Sequence, residues 1–332
     1  MNRRASSDGF VVPYVLVLIG VLSVVSLFAM ERLSRNTEIV RQLDARARTE
    51  TAIASIEAET LFTLLAASPL REGFDLPGRF DPADAILYGQ VQGPLPGPDS
   101  PQTWVPDGQW RIARDGAVAA QDAGGLLPLN TALPSSVVAL LVELGYPARE
   151  ARIAAAKLAD YVDADSNRRS SGAEAAQYRQ ADLPEPTNRP LRSFDELHRV
   201  IGWDAVLDVI DPAVLASFTT LDPAQAGIRA AYAPTRLRQT LAIGTDATVS
   251  VTNDEFADIT TAPGDRTRFL MVVPDPDQPR LSIIEVDRRA GALDAPFRTR
   301  RIASRALRPG ELSRYQSAWE SSHRFTYATP GP

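Results

Sequence analysis

The chain has 332 residues, 44% of them hydrophobic and 23% charged, which supplies one large or two modest cores and excludes disorder as a whole. A formal net charge of -6 gives no overall attraction for nucleic acid or anionic lipid head groups. The absence of cysteine excludes disulfides, thiolate nucleophiles and cysteine-ligated zinc while leaving the compartment open.

The first element is apolar. Residues 10–30 carry no formal charge, and as a helix they span about 31 Å, the thickness of a bilayer core. Pro13 falls in the first turn, where its missing amide costs no hydrogen bond. Arg3 and Arg4 precede the span, so the positive-inside rule places the N-terminus in the cytoplasm and everything after Met30 outside it. A secretory signal peptide would show a shorter apolar core and a small-x-small cleavage site; here a short basic leader, 1–9, ends at Asp8-Gly9 and Phe10 opens the apolar run directly. Beyond Met30 the pattern turns charged but stays helical, with Leu33, Val40, Leu43, Ile53, Ile56, Leu61 and Leu64 among Glu, Arg and Gln and no proline before Pro69. One continuous helix is expected from Phe10 to about Ala67, 10–30 in lipid and 31–68 beyond it; an ordinary anchor followed by a short amphipathic helix is the alternative.

Residues 69–122 are rich in Pro, Gly and Asp with short apolar pieces at 85–88 and 110–113, and read as loops with a few strands. Residues 123–235 turn helical. Thr131 or Ser135 is positioned to cap a helix over 137–144 that Gly145 ends, 148–162 is Ala-rich and periodic, and Ser193-Phe-Asp-Glu196 has the form of a capping box. In 236–332 alternation returns at 241–251, 268–273 and 281–286, the last two flanking a Pro- and Asp-rich turn that predicts a hairpin, while the arginines of 298–308 predict a solvated strand face. The whole is an α+β chain with a helical insert between two β-forming stretches.

The residues offering chemistry lie in that insert. Asp160, Asp163 and Asp165, with Asn167, Glu174 and Asn188 further on, are hard oxygen donors with no sulfur or imidazole nearby, a set that suits Ca²⁺ without EF-hand spacing; the residues alone fit an acidic solvated loop capping a helix as well. Catalytic constellations are missing: the two histidines, His198 and His323, are far apart, and there is no Gly-x-Ser-x-Gly, phosphate loop or His-x-x-x-His. Asp163 and Asp165 lack an aromatic sugar platform for glycosidase work. A helix-hairpin-helix reading of Leu129-Asn-Thr-Ala132 would need a phosphate partner, and the surplus of acids over bases between Asp122 and Asp211 repels one, so no nucleic acid is expected.

Gly9-Phe10 and the uncharged run behind it resemble a type IV prepilin leader, which implies cleavage after Gly9 by prepilin peptidase and methylation of Phe10. Leu127-Pro-Leu-Asn-Thr-Ala132 with Leu144-Gly145, then Leu158-Ala-Asp-Tyr-Val-Asp-Ala-Asp165, Ser171-Gly-Ala-Glu174, Tyr178, Asn188-Arg-Pro190 and Ser193-Phe-Asp-Glu-Leu197, resemble in order the helical domain of the type II secretion minor pseudopilin K family. Departures are Ser171, Ala175 in place of an acid, and Tyr14 where the fifth mature residue of pilin-like proteins is usually glutamate. The resemblance implies a pilin-like fold: a long N-terminal transmembrane helix, a small antiparallel sheet and a large inserted helical, SAM-like domain. It implies calcium held by Asp163, Asp165 and Glu174, with Asp160, Asn167 and Asn188 in support. It also implies a non-enzymatic subunit at the tip of a periplasmic pseudopilus, single-pass in the inner membrane, joined to two other minor pseudopilins and in reach of secreted cargo. The alternatives are an anchored calcium-dependent binding module and a minor pilin of a type IV pilus.

Overall fold

An uninterrupted helical sequence yields one helix. In the computed structural model, which describes residues 11–66, 68–70, 73–75, 103–113, 115–225, 227–243, 248–250, 264–275, 278–288, 297–308 and 310–319, α1 runs Val11–Ala66 as expected. Gly9, Phe10 and the 85–88 piece lie outside the described residues. From Tyr14 to Asp44 α1 is exposed throughout, whereas Ala45, Ile53, Ile56 and Leu64 further on are buried. Exposed i,i+4 pairs such as Arg46 with Glu50 run along the remaining faces.

Short strands follow: β1 (Ser68–Leu70), β2 (Gly73–Asp75) and β3 (Thr103–Trp104) form one small sheet. The main sheet is antiparallel, built from β4 (Asp107–Ala113) and β5 (Gly116–Asp122) together with three strands from the far end of the sequence. Between β5 and those strands the chain makes β6 (Leu127–Pro128), α2 (Pro134–Glu143), α3 (Ala148–Val162), α4 (Ala175–Gln180), a 3-10 turn over Phe194–Arg199, α5 (Asp204–Val209), α6 (Pro212–Ala216), β7 (Thr219–Thr220), β8 (Gly227–Arg229), α7 (Thr235–Thr240) and β9 (Thr248–Ser250). The sheet then resumes with β10 (Arg266–Val273), β11 (Arg280–Arg288) and β12 (Phe297–Ala306), and α8 (Glu311–Trp319) follows. The strand order is β12-β11-β10-β5-β4, so the helical segment leaves and re-enters between neighbouring strands. The predicted β10–β11 hairpin forms, with Phe269 opposite Ile284.

Period-two alternation gives the sheet two buried faces. Val118, Ala120, Phe269, Met271, Ile284 and Val286 meet Ile53, Ile56 and Leu64 of α1. Ala119, Leu270, Val272, Leu281 and Ile283 face the other way, against Ala213 of α6 and Leu312 and Tyr315 of α8. β12 is an edge strand whose Arg298, Arg300 and Arg301 are exposed, as its composition predicts. The helical segment has its own core, centred on Trp203, Tyr161, Tyr178, Leu140 and Leu197, and Trp203 Nε1 donates to Ala154 O at 2.9 Å.

Three local expectations fail. Neither Thr131 nor Ser135 caps α2: its N-cap is Leu133, Pro134 starts the helix with a preset φ, and the Thr131 hydroxyl donates instead to Gln225 O at 2.6 Å. Ser193 caps nothing, because the segment winds as a 3-10 helix and the Glu196 carboxylate accepts from Arg192 N–H at 2.7 Å and from Arg189 at 2.6 Å. The third fails only in part: of the stretch expected as strand over 241–251, Thr248–Ser250 forms β9, whereas Leu241–Ile243 is the turn that closes α7, with Leu237 and Ile243 in the helical core.

Arg268 of β10 ties the two cores together. It is fully buried, donating one Nη to Ala216 O and to Thr219 O (2.6 Å) and the other to Glu285 Oε2 (2.8 Å), while Glu285 Oε1 accepts from Arg300 at 3.0 Å. Burial pushes the Glu285 carboxyl up, but the charges of Arg268 and Arg300 outweigh it and hold the group below its ordinary 4.5. Arg268→Met leaves a buried carboxylate and two carbonyls without their donor, and chemical denaturation of the detergent-solubilised chain should show a loss of about 3–5 kcal/mol. Because the Glu285 pKa is depressed, its contribution is present above the ordinary value and lost as pH falls through the folded one, so Glu285→Gln should flatten the acid limb of the stability profile.

Candidate functional site

The loop after α3 gathers the acids that the sequence singles out. α3 ends at Val162, Asp163 is its C-cap in extended conformation, and the chain turns back through Ser171 (φ 67) to Glu174, the N-cap of α4. This brings one oxygen each of Asp163, Asp165 and Glu174 within 4.8 Å of one another. Glu174 is buried and faces the Gln177 N–H in a capping box, but that N–H bonds the Glu174 carbonyl at 2.9 Å and neither carboxylate oxygen makes a hydrogen bond of ordinary geometry. Asp163 Oδ1 is buried without a donor too. Burial first, then the charges of Asp160, Asp163 and Asp165, push the Glu174 carboxyl above its ordinary 4.5 against the opposing pull of Arg169.

The other three candidates stand differently. Asp160 does not join that trio: it is fully buried on α3 and accepts from the Arg169 main-chain N–H (3.1 Å) and guanidinium (2.8 Å). Its fit is close, because a Cβ on Gly172 would stand 1.9 Å from Asp160 Oδ2. Asn167 is exposed, and its main-chain N–H donates to Asp165 Oδ1 at 2.6 Å, an Asx turn that fixes the loop. Asn188, at φ 45, donates Nδ2 to Asp165 O at 2.8 Å, and its own Oδ1 is buried without a donor. The oxygens that could hold a hard cation are therefore those of Asp163, Asp165 and Glu174, with Asn188 Oδ1 beside the same loop.

Sequence reasoning about oxygen donors passed over Arg169, whose guanidinium pairs with both Asp160 and Asp163. The signal was the Arg168-Arg169 pair set inside an acidic loop. It also passed over the work of Asn130, which donates to Leu191 O (3.1 Å) and Leu221 O (2.8 Å) and accepts from Leu191 N–H (2.7 Å), pinning the segments on either side of the site.

Ahead of this domain, α1 contains a stretch long and apolar enough to cross a membrane, none of it buried. Residues 119–217 match the family model described as type II secretion system (T2SS), protein K. Over that segment the chain is thus similar to a component of a protein-secretion apparatus. The match runs from within β5 through α6, somewhat less than a third of the chain. Among curated proteins none matches by sequence. A chain in the crystal structure of the GspK-GspI-GspJ complex from the enterotoxigenic Escherichia coli type 2 secretion system is similar at 14% identity, over 80% of this chain and 99% of that one, with a TM-score of 0.43; no residue role passes across so distant a likeness.

An acid whose folded pKa is raised costs stability once pH climbs past its ordinary value, and the cost is complete above the folded one. In chelator at pH 7, Glu174→Gln should therefore raise the melting midpoint, and the gain should vanish as pH falls to about 4, read by scanning calorimetry.

Proposed function

We propose that the chain is the tip subunit of a periplasmic pseudopilus, anchored in the inner membrane by the first half of α1 with its N-terminus in the cytoplasm. Prepilin peptidase would cut after Gly9 and leave a methylated Phe10. The observation that carries the reading is a protein K domain over 119–217 on a chain whose α1 is apolar and exposed at one end and packed on a sheet at the other. Tyr14 supports the tip position: a carboxylate in lipid is costly without a partner, and a subunit with nothing above it has no terminal amine to pair with. The helical segment issuing from the middle of the sheet favours the same place, since it would obstruct a subunit stacked above. By analogy with the GspK-GspI-GspJ assembly, its partners would be two other minor pseudopilins, with secreted cargo within reach.

The acidic loop is proposed as a structural Ca²⁺ site held by Asp163, Asp165 and Glu174, with Asn188 Oδ1 in support. The fit rests on the donor set, all oxygen, and on buried oxygens left without donors. A bound cation would satisfy those oxygens and offset the repulsion that raises Glu174.

The reading of the anchor is tested by the N-terminal mass of membrane-extracted protein made with and without prepilin peptidase. A chain beginning at methylated Phe10 only with the peptidase is expected; an intact Met1 or a cut near Met30 would instead mark an anchored binding module. Labelled subunits found along the length of fibres would remove the tip assignment. For the metal site, calcium should raise the melting midpoint of the chelated chain, and Asp163→Asn should abolish the rise; equal midpoints with and without calcium would end the calcium reading.

A further inference from the structure

Arg169 lies where a metal site should have no cation. One Nη donates to Asp160 Oδ1 at 2.8 Å and also to Asp163 Oδ2; the other oxygen of Asp163 is buried and donorless, and one oxygen of Asp163 lies within 4.8 Å of oxygens of Asp165 and Glu174. Asp163 is therefore shared between a guanidinium and the neighbouring acids. Asp160, Asp163, Asp165 and Glu174 bear four formal negative charges, and Arg169 cancels one of them. Its main-chain N–H is bonded to Asp160 as well, so the side chain is tethered at its root and cannot leave the loop, yet the guanidinium is partly exposed and free to swing outward.

We propose that Arg169 is a tethered competitor for the cation site: it neutralises Asp160 and Asp163 when no ion is bound, and it weakens ion binding by placing a positive charge on a ligand carboxylate. This rests on the calcium reading above and adds a regulator to it. The two roles have opposite signs. Removing the charge should loosen the metal-free loop, where four acids would face one another, and tighten the divalent cation, which would no longer stand a few ångströms from a guanidinium.

The test is calcium titration by calorimetry, with melting of the chelated protein, on the detergent-solubilised full chain and its Arg169→Gln variant. Expected is a calcium Kd on the order of tenfold tighter in the variant, together with a lower metal-free midpoint. An unchanged or weaker Kd in a folded variant overturns the proposal and leaves the calcium site standing. Binding by neither chain sinks the site and the competitor together. If Arg169→Gln is unfolded in chelator, Arg169→Lys decides: keeping the charge, it should bind calcium within about threefold of the parent, and a tenfold gain there would overturn the competitor role.

Discussion

A buried guanidinium is tolerated only when acceptors surround it, and the acceptors of Arg268 come from two parts of the chain that the sheet alone does not join. Ala216 and Thr219 belong to the end of the helical segment and Glu285 to the neighbouring strand, and the same guanidinium lies 5.9 Å from the ring centroid of Phe194. The helical segment springs from β5 and returns to β10, so this one side chain on β10 fixes it to the strand beside its own point of departure. The acidic loop stands on that segment. Its geometry therefore depends on a polar contact well away from the carboxylates themselves.

Much of the architecture is legible in the sequence because its signals are local. The lack of proline before Pro69 predicts α1, the alanine-rich period predicts α3 at its observed limits, and alternation on either side of a proline-rich turn predicts the β10–β11 pair. What stays hidden is set at long range. Thr131 has the composition of a cap, but its hydroxyl is claimed by Gln225 94 positions away. Arg268 opens an alternating run in the sequence, and nothing in that run shows that Glu285 and two carbonyls fold around it. Leu241 and Ile243 alternate like a strand because a turn over the helical core buries every second side chain.

The candidate site divides along the same line. Asp163, Asp165 and Glu174 come together because a short loop between two helices leaves few ways to place them, and residue type alone marks them. Asp160 has the same chemistry, but its position on the inner face of α3 gives it Arg169 and the loop backbone as partners, with Gly172 leaving no room to move. Asn167 contributes a main-chain amide to Asp165, a role that side-chain chemistry could not disclose. Spacing finds the carboxylates; only the fold sorts those whose oxygens lie together from those that hold the loop.

The arginines of β12 carry a consequence for self-association. Ten residues of strand at the rim of a sheet offer backbone donors and acceptors to any extended chain, a second copy of the same strand included. Along that rim Arg300 pairs with Glu285, Arg301 with Glu57 and Arg305 with Glu311, so the edge is lined by charged side chains held by partners of their own fold. A charged rim disfavours strand addition, so copies of the chain are kept from zipping into sheets.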